Sequence, residues 1–188
     1  MENGNQEKSK LLLHACCAPC SSHVLEILES LFDITVFFYN PNISSQDEYE
    51  KRKAELHRFV QEAPFTRNVK IIDAAYNAEE FYRIAKGLED APERGERCYK
   101  CYELRMDATA KYAAEKGYDI FTTTLSISPH KNAGWINEIG CRLSERYGVD
   151  YYYSDFKKKN GYLRSIELSK EYNLYRQDFC GCVYSRRK

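Results

Sequence analysis

Short apolar runs alternate along the chain with longer stretches whose apolar residues recur at helical spacing. Residues 10–14 (KLLLH) read as a buried strand, and 33–39 (DITVFFY), β-branched and aromatic, as a second. Between them Val24, Leu25, Leu28 and Leu31 share one face of a helix over 21–31. Asn40-Pro41-Asn42 breaks the chain, and Ser44 or Ser45 then caps a charged helix running to about Val60. A third strand falls at 68–72, a helix at 78–87 and a polar loop at 88–97. Residues 99–116 read as a helix ended by Gly117, 118–124 as a fourth strand, 132–147 as a helix stopped by Gly148, and 149–153 as a fifth strand. A short helix near 163–172 precedes an irregular, cysteine-rich end.

This succession predicts an α/β fold, a Rossmann-like parallel sheet with helices on both faces. Residues 1–9 are polar and expected to be flexible, which leaves 10–188 as a single catalytic domain. In such sheets ligands bind beyond the carboxyl ends of the strands. Here those ends are His14-Ala15-Cys16-Cys17, the polar run 122–128, and Ser154-Asp155, so sulfur and hydroxyl groups fall where the fold places a site.

Composition narrows the chemistry. The chain is 43% hydrophobic and 30% charged, as in a globular protein. No apolar run reaches a membrane span and no signal-peptide pattern is present, so a cytoplasmic location without a membrane partner is expected. In that reducing compartment, clustered cysteines are metal ligands or redox centres more often than structural bridges. The formal net charge of zero hides an uneven distribution: residues 151–188 carry nine Lys and Arg against four Asp and Glu. That excess suits docking of an anion.

The eight cysteines form three clusters and one orphan: Cys16-Cys17-Ala18-Pro19-Cys20, Cys98-Tyr99-Lys100-Cys101, Cys180-Gly181-Cys182, and Cys141. A CxxC pair lets two thiolates converge on one metal, and two pairs give the four soft ligands that zinc or an iron–sulfur cluster takes. Cys98 and Cys101 open a helix, whose N-terminal dipole favours thiolates. Spacing alone favours Cys17 with Cys20, whereas adjacent Cys16 and Cys17 can also serve one cluster in a tight turn. A structural zinc knuckle is the competing use. The glycine of the third cluster lets its two sulfurs chelate a metal or close a labile disulfide. Cys141, mid-helix beside Ile139 and Leu143, reads as a packing cysteine. His14 ends a strand and reads as a satisfied core histidine. His130, Asp155 and Asp178 are candidate ligands or proton donors.

The segments HACCAPCSS, ERCYKCYELR, FTTTLSISPHKN, SDFKKKNGYLRS and YRQDFCGCVYS together resemble QueH, the epoxyqueuosine reductase family, in order and over nearly the whole chain past residue 9. The resemblance implies a fold like that of the PP-loop (HUP) tRNA-modifying enzymes. It also implies reductive deoxygenation of epoxyqueuosine in tRNA to queuosine, with electrons from an unidentified donor. It implies a [4Fe-4S] cluster on Cys16, Cys17, Cys98 and Cys101. Cys180 and Cys182 would be the redox-active pair, beside a second, mononuclear iron in the family picture. Lys157, Lys158, Lys159, Arg164, Arg176, Arg186 and Arg187 are the expected phosphate contacts on the tRNA. The residues themselves favour metal over nucleotide at the first turn. A phosphate cradle needs small residues whose N–H groups converge, and CCAPC has no glycine. The competing functions are a non-catalytic zinc-binding RNA module and a thiol–disulfide oxidoreductase using the CGC pair alone.

Overall fold

The computed structural model describes residues 8–185. Five parallel strands stand in the order β3-β2-β1-β4-β5: β1 Lys10–His14, β2 Asp33–Phe38, β3 Lys70–Asp73, β4 Ile120–Thr123 and β5 Asp150–Tyr151. The helices are α1 Ala18–Leu28, α2 Gln46–Glu62, α3 Ala78–Ala85, α4 Glu96–Lys116, α5 Ala133–Tyr147 and α6 Gly161–Glu171.

Leu11, Leu12 and Leu13 are all fully buried, because β1 is the central strand of a sheet covered on both faces. Alternation sends Leu11 and Leu13 into a core with α1 and α2, on the face that also carries α6, and sends Leu12 to the opposite core with α4 and α5. Each such side chain contributes roughly 1.5–3 kcal/mol relative to exposure.

The helix ends follow local chemistry. Ser45 accepts from the N–H of Glu48, and Asn132 from that of Trp135 at 3.2 Å. Gly117 and Gly148 close α4 and α5 in the left-handed region, at φ +70° and +67°.

Several expectations shift. α1 begins at Ala18 rather than Ser21, since Pro19 in the first turn is pre-organised for helix. α4 begins at Glu96 and so takes in the end of the expected loop. β5 is only two residues long, which leaves Asp155 in a loop rather than at a strand end. Of the stretch expected to be flexible, residues 1–7 lie outside the described residues. Lys8 and Ser9 are held: Lys8 Nζ donates to the Glu29 carbonyl at 2.7 Å, and the Ser9 carbonyl accepts from Asp33 N–H at 3.0 Å. No helix among the described residues is long and apolar enough to cross a membrane.

Candidate metal centre

The chain builds β1, β2 and β3 outward, then returns to lay β4 on the other side of β1. That reversal opens a crevice beyond the carboxyl ends of β1 and β4. A cavity of about 290 Å³ lies at this end of the sheet.

His14 and Thr123, paired in register, lock its floor. His14 Nε2 faces the Tyr39 carbonyl at 3.0 Å, so that nitrogen carries the proton. Nδ1 then accepts from Thr123 Oγ1 at 2.9 Å. Thr123 Oγ1 in turn accepts from Leu125 N–H at 3.2 Å. The ends of β1 and β4 and the Tyr39 segment after β2 are thereby cross-linked around a neutral imidazole, as expected of a satisfied core histidine. Burial drives its pKa from 6.5 down to about 3.

From this floor the chain turns into α1 and presents three sulfurs. The Sγ atoms of Cys16, Cys17 and Cys20 all lie within 4.8 Å of one another, with Cys16 and Cys17 at 3.7 Å. This trio can hold a metal ion. Hydrogen bonds from Cys17 and Cys20 hold the Cys16 pKa well below the usual thiol value. Donation to Cys16 pushes Cys17 up to about 12 and raises Cys20 as well. Cys17 Sγ also accepts from Gln177 Nε2 at 3.0 Å.

Cys98 and Cys101, on the first turns of α4, line the same cavity, although their sulfurs stand outside the compact trio. Cys98 Sγ accepts from Arg94 N–H at 3.3 Å. Burial raises both thiols, Cys101 to about 12; at Cys98 the Arg94 N–H offsets burial only in part.

Cys180 and Cys182 complete the wall as free thiols. α2 holds their segment. Arg52 Nη1 donates to the Cys180 carbonyl at 3.0 Å and Nη2 to that of Phe179 at 3.4 Å, while the Gly181 carbonyl accepts from Ser44 N–H at 2.9 Å. Gly181 stands at φ +116°, a conformation that glycine permits.

The remaining candidates separate. His130 and Asp178 are exposed on the cavity rim. Asp155 does not line the cavity; it pairs with Lys157 at 2.6 Å. Arg164 is held by Glu26 at 2.6 Å and by Glu167 at 3.2 Å. Arg176 lines the cavity, and Lys158 and Lys159 are exposed without ion pairs among the described residues. Arg186 and Arg187 lie outside the described residues. Cys141 is exposed, which corrects the packing expectation. Two residues from both Ile139 and Leu143, it stands about 200° around the helix from each and so on the face away from the core.

Sequence reading missed Arg105, Lys131 and Gln177 in the cavity wall. Arg105 Nη2 and Gln177 Oε1 are buried without hydrogen-bond partners, and so is Asn42 Oδ1 in the same wall. Unpaired polar atoms converging on a cavity ringed by thiols suit a bound polar or charged group.

The family model described as "Epoxyqueuosine reductase QueH" matches residues 11–188. A protein of that name from Streptococcus pyogenes is 46% identical over 182 residues, covering 96% of this chain and 71% of that protein. Its namesake from Thermotoga maritima is 38% identical over 181 residues, covering 93% of this chain and 89% of that protein. The crystal structure of a predicted subunit of tRNA methyltransferase from Methanocaldococcus jannaschii shares the fold. It aligns at TM-score 0.54 and 15% identity over 86% of this chain and 74% of that one.

Proposed function

The chain belongs to the QueH family of epoxyqueuosine reductases, and on that premise we propose that its cavity cysteines form one redox centre acting on epoxyqueuosine in tRNA. The observation that carries this reading is the convergence of six thiols from three distant segments on one cavity, with Cys17 directly beside Cys16 and Cys20. Such a set exceeds what a structural zinc site takes and suits a [4Fe-4S] cluster with further sulfur to spare.

Cys16, Cys17, Cys98 and Cys101 would hold the cluster, whose chemistry is one-electron transfer. Its insertion would draw α4 and the Cys16 turn together. Cys20, hydrogen-bonded within the trio, would brace Cys16. Cys180 and Cys182 would serve either as a dithiol couple or as ligands of a second, mononuclear iron. Removing the epoxide oxygen as water takes two electrons and two protons, so a thiol pair next to a one-electron centre supplies what the cluster alone lacks. His130 and Asp178, on the rim, are the better placed proton donors of the three candidates. Asp155, paired with Lys157 and outside the cavity lining, is the least suited of the three. Arg176, Lys158 and Lys159 would take tRNA phosphates, while Lys157 and Arg164 would need to leave their carboxylate partners first.

The test is anaerobic preparation with iron and sulfide analysis, coupled to turnover of tRNA bearing epoxyqueuosine. Iron and sulfide in near-equal amounts, with turnover lost in Cys180→Ala and Cys182→Ala, are expected. A colourless protein with stoichiometric zinc refutes the cofactor assignment, and variants with wild-type cluster content and turnover refute the role of the pair.

A further inference from the structure

None of the four cations in the cavity wall, Arg97, Arg105, Lys131 and Arg176, pairs with a carboxylate among the described residues; Arg97 donates to three carbonyls and Arg176 to Ser169 Oγ, which leaves Arg105 and Lys131 the least satisfied. Arg105 is 1% exposed, and its one hydrogen bond runs from Nε to the Cys101 carbonyl at 3.3 Å, leaving Nη2 unpaired. The ammonium of Lys131, a half-buried residue, forms neither a hydrogen bond nor an ion pair among the described residues. The carboxylates on the same cavity, Glu93 and Asp178, are exposed and pair with neither cation. A buried guanidinium without a counter-ion is costly, so the fold that keeps it must present an anion there.

We infer that Arg105 and Lys131 are the counter-ions of the sulfur centre, holding its negative charge and raising its midpoint potential. This inference rests on the iron–sulfur reading above. Both cations line the same cavity as the sulfurs, Arg105 from α4, which also carries Cys98 and Cys101, and Lys131 from the loop before α5. Each electron added makes such a centre more negative, so nearby positive charge stabilises its reduced form more than its oxidised form.

Lys131→Met removes the charge and few contacts, which makes it the first variant to test. Potentiometric titration of the anaerobically reconstituted full chain, followed by its visible absorption, gives the midpoint without any turnover. The expected result is at least a tenfold shift toward the oxidised form, about 59 mV for one electron, with Lys131→Arg close to wild type. Arg105→Met is expected to shift it in the same direction. Loss of iron and sulfide in Lys131→Met that Lys131→Arg restores supports the same role. An unchanged midpoint in Lys131→Met, or a loss that Lys131→Arg does not restore, overturns it. A wild-type protein that takes up no iron and sulfide instead refutes the cofactor reading, and this inference with it.

Discussion

Arg52→Met should loosen the segment that carries Cys180 and Cys182 without unfolding the sheet. Arg52 is 1% exposed and bonds Glu48 at 2.6 Å, the Cys180 carbonyl at 3.0 Å and the Phe179 carbonyl at 3.4 Å. Hydrogen bonds to a charged donor are worth about 1.5–3 kcal/mol each, and the longer one belongs at the bottom of that range. Methionine fills similar space but leaves both carbonyls without this donor. It also leaves Glu48 only the Tyr175 hydroxyl, at 3.1 Å. Breaking a buried ion pair on one side costs about 3–5 kcal/mol in all.

Most of that loss should be local, because other contacts keep the segment on α2. Glu55 accepts from Tyr175 N–H at 2.6 Å, and Arg58 donates to the Tyr172 carbonyl at 3.1 Å. The reporter is Ser44 N–H, which bonds the Gly181 carbonyl at 2.9 Å and is released only when the segment lifts. A loss of roughly 3 kcal/mol corresponds to exchange about 100-fold faster, measured by hydrogen exchange on the apo protein. Arg52→Lys should fall between, keeping the charge but not the fork. If Ser44 and residues 179–185 exchange at the wild-type rate while the whole molecule loses stability, Arg52 serves α2 alone.

The buried imidazole gives a pH prediction for the apo protein. With its pKa lowered from 6.5 to about 3, His14 stays neutral in the fold while the unfolded chain takes a proton. Stability is therefore full above pH 6.5 and is lost as pH falls toward 3, by about 1.4 kcal/mol at pH 5.5. Urea denaturation at pH 7.5 and 5.5 checks this against His14→Gln, in which that contribution to the pH dependence should vanish. An equal fall in both proteins would contradict the assignment. Gly181→Ala adds left-handed strain and a Cβ 3.1 Å from Arg52 Nη1 and Ile43 Cγ1, for a cost of about 1–3 kcal/mol. Trypsin should then cut after Arg176 faster than in the wild type, and an unchanged cutting rate would count against the clamp.

What was legible in the chain was periodic or punctuated. The leucines of β1, the capping Ser45 and Asn132, and the two closing glycines each carry a local signal that packing has no reason to override. The cysteine clusters pointed to a candidate metal centre because sulfur is scarce and their spacing is short, and Cys16, Cys17 and Cys20 do stand close enough to hold a metal ion. The wall between the clusters was not legible. Nothing local in the sequence sets Arg52, Arg105 and Lys131 apart from the other charged residues, and only tertiary contact decides which charges are withdrawn from solvent. Cys141 failed in the opposite sense: its apolar neighbours suggested a core, but a spacing of two turns a helical side chain to the far side.

The C-terminal segment explains how cysteines from opposite ends of the chain come to one place. On one face of the sheet it is fixed by its carbonyls to Arg52 of α2 and to Ser44 just before it. On the other face Cys182 packs with Phe81, Ala85 and Cys101, between α3 and α4. The segment thus lies across the carboxyl edge of the sheet from one helical layer to the other. Gln177, on the way, reaches down to the Cys17 sulfur. The Cys16 turn is set by strand ends and the His14 network, so it belongs to the core and shares its stability. The Cys180–Cys182 pair is set by side chains on surrounding helices and is separable from that core. For the redox role proposed for this pair the division has a use: its segment can open at the cost of the α2 clamp and of the Cys182 packing on α3 and α4, while the Cys16 turn stays in place.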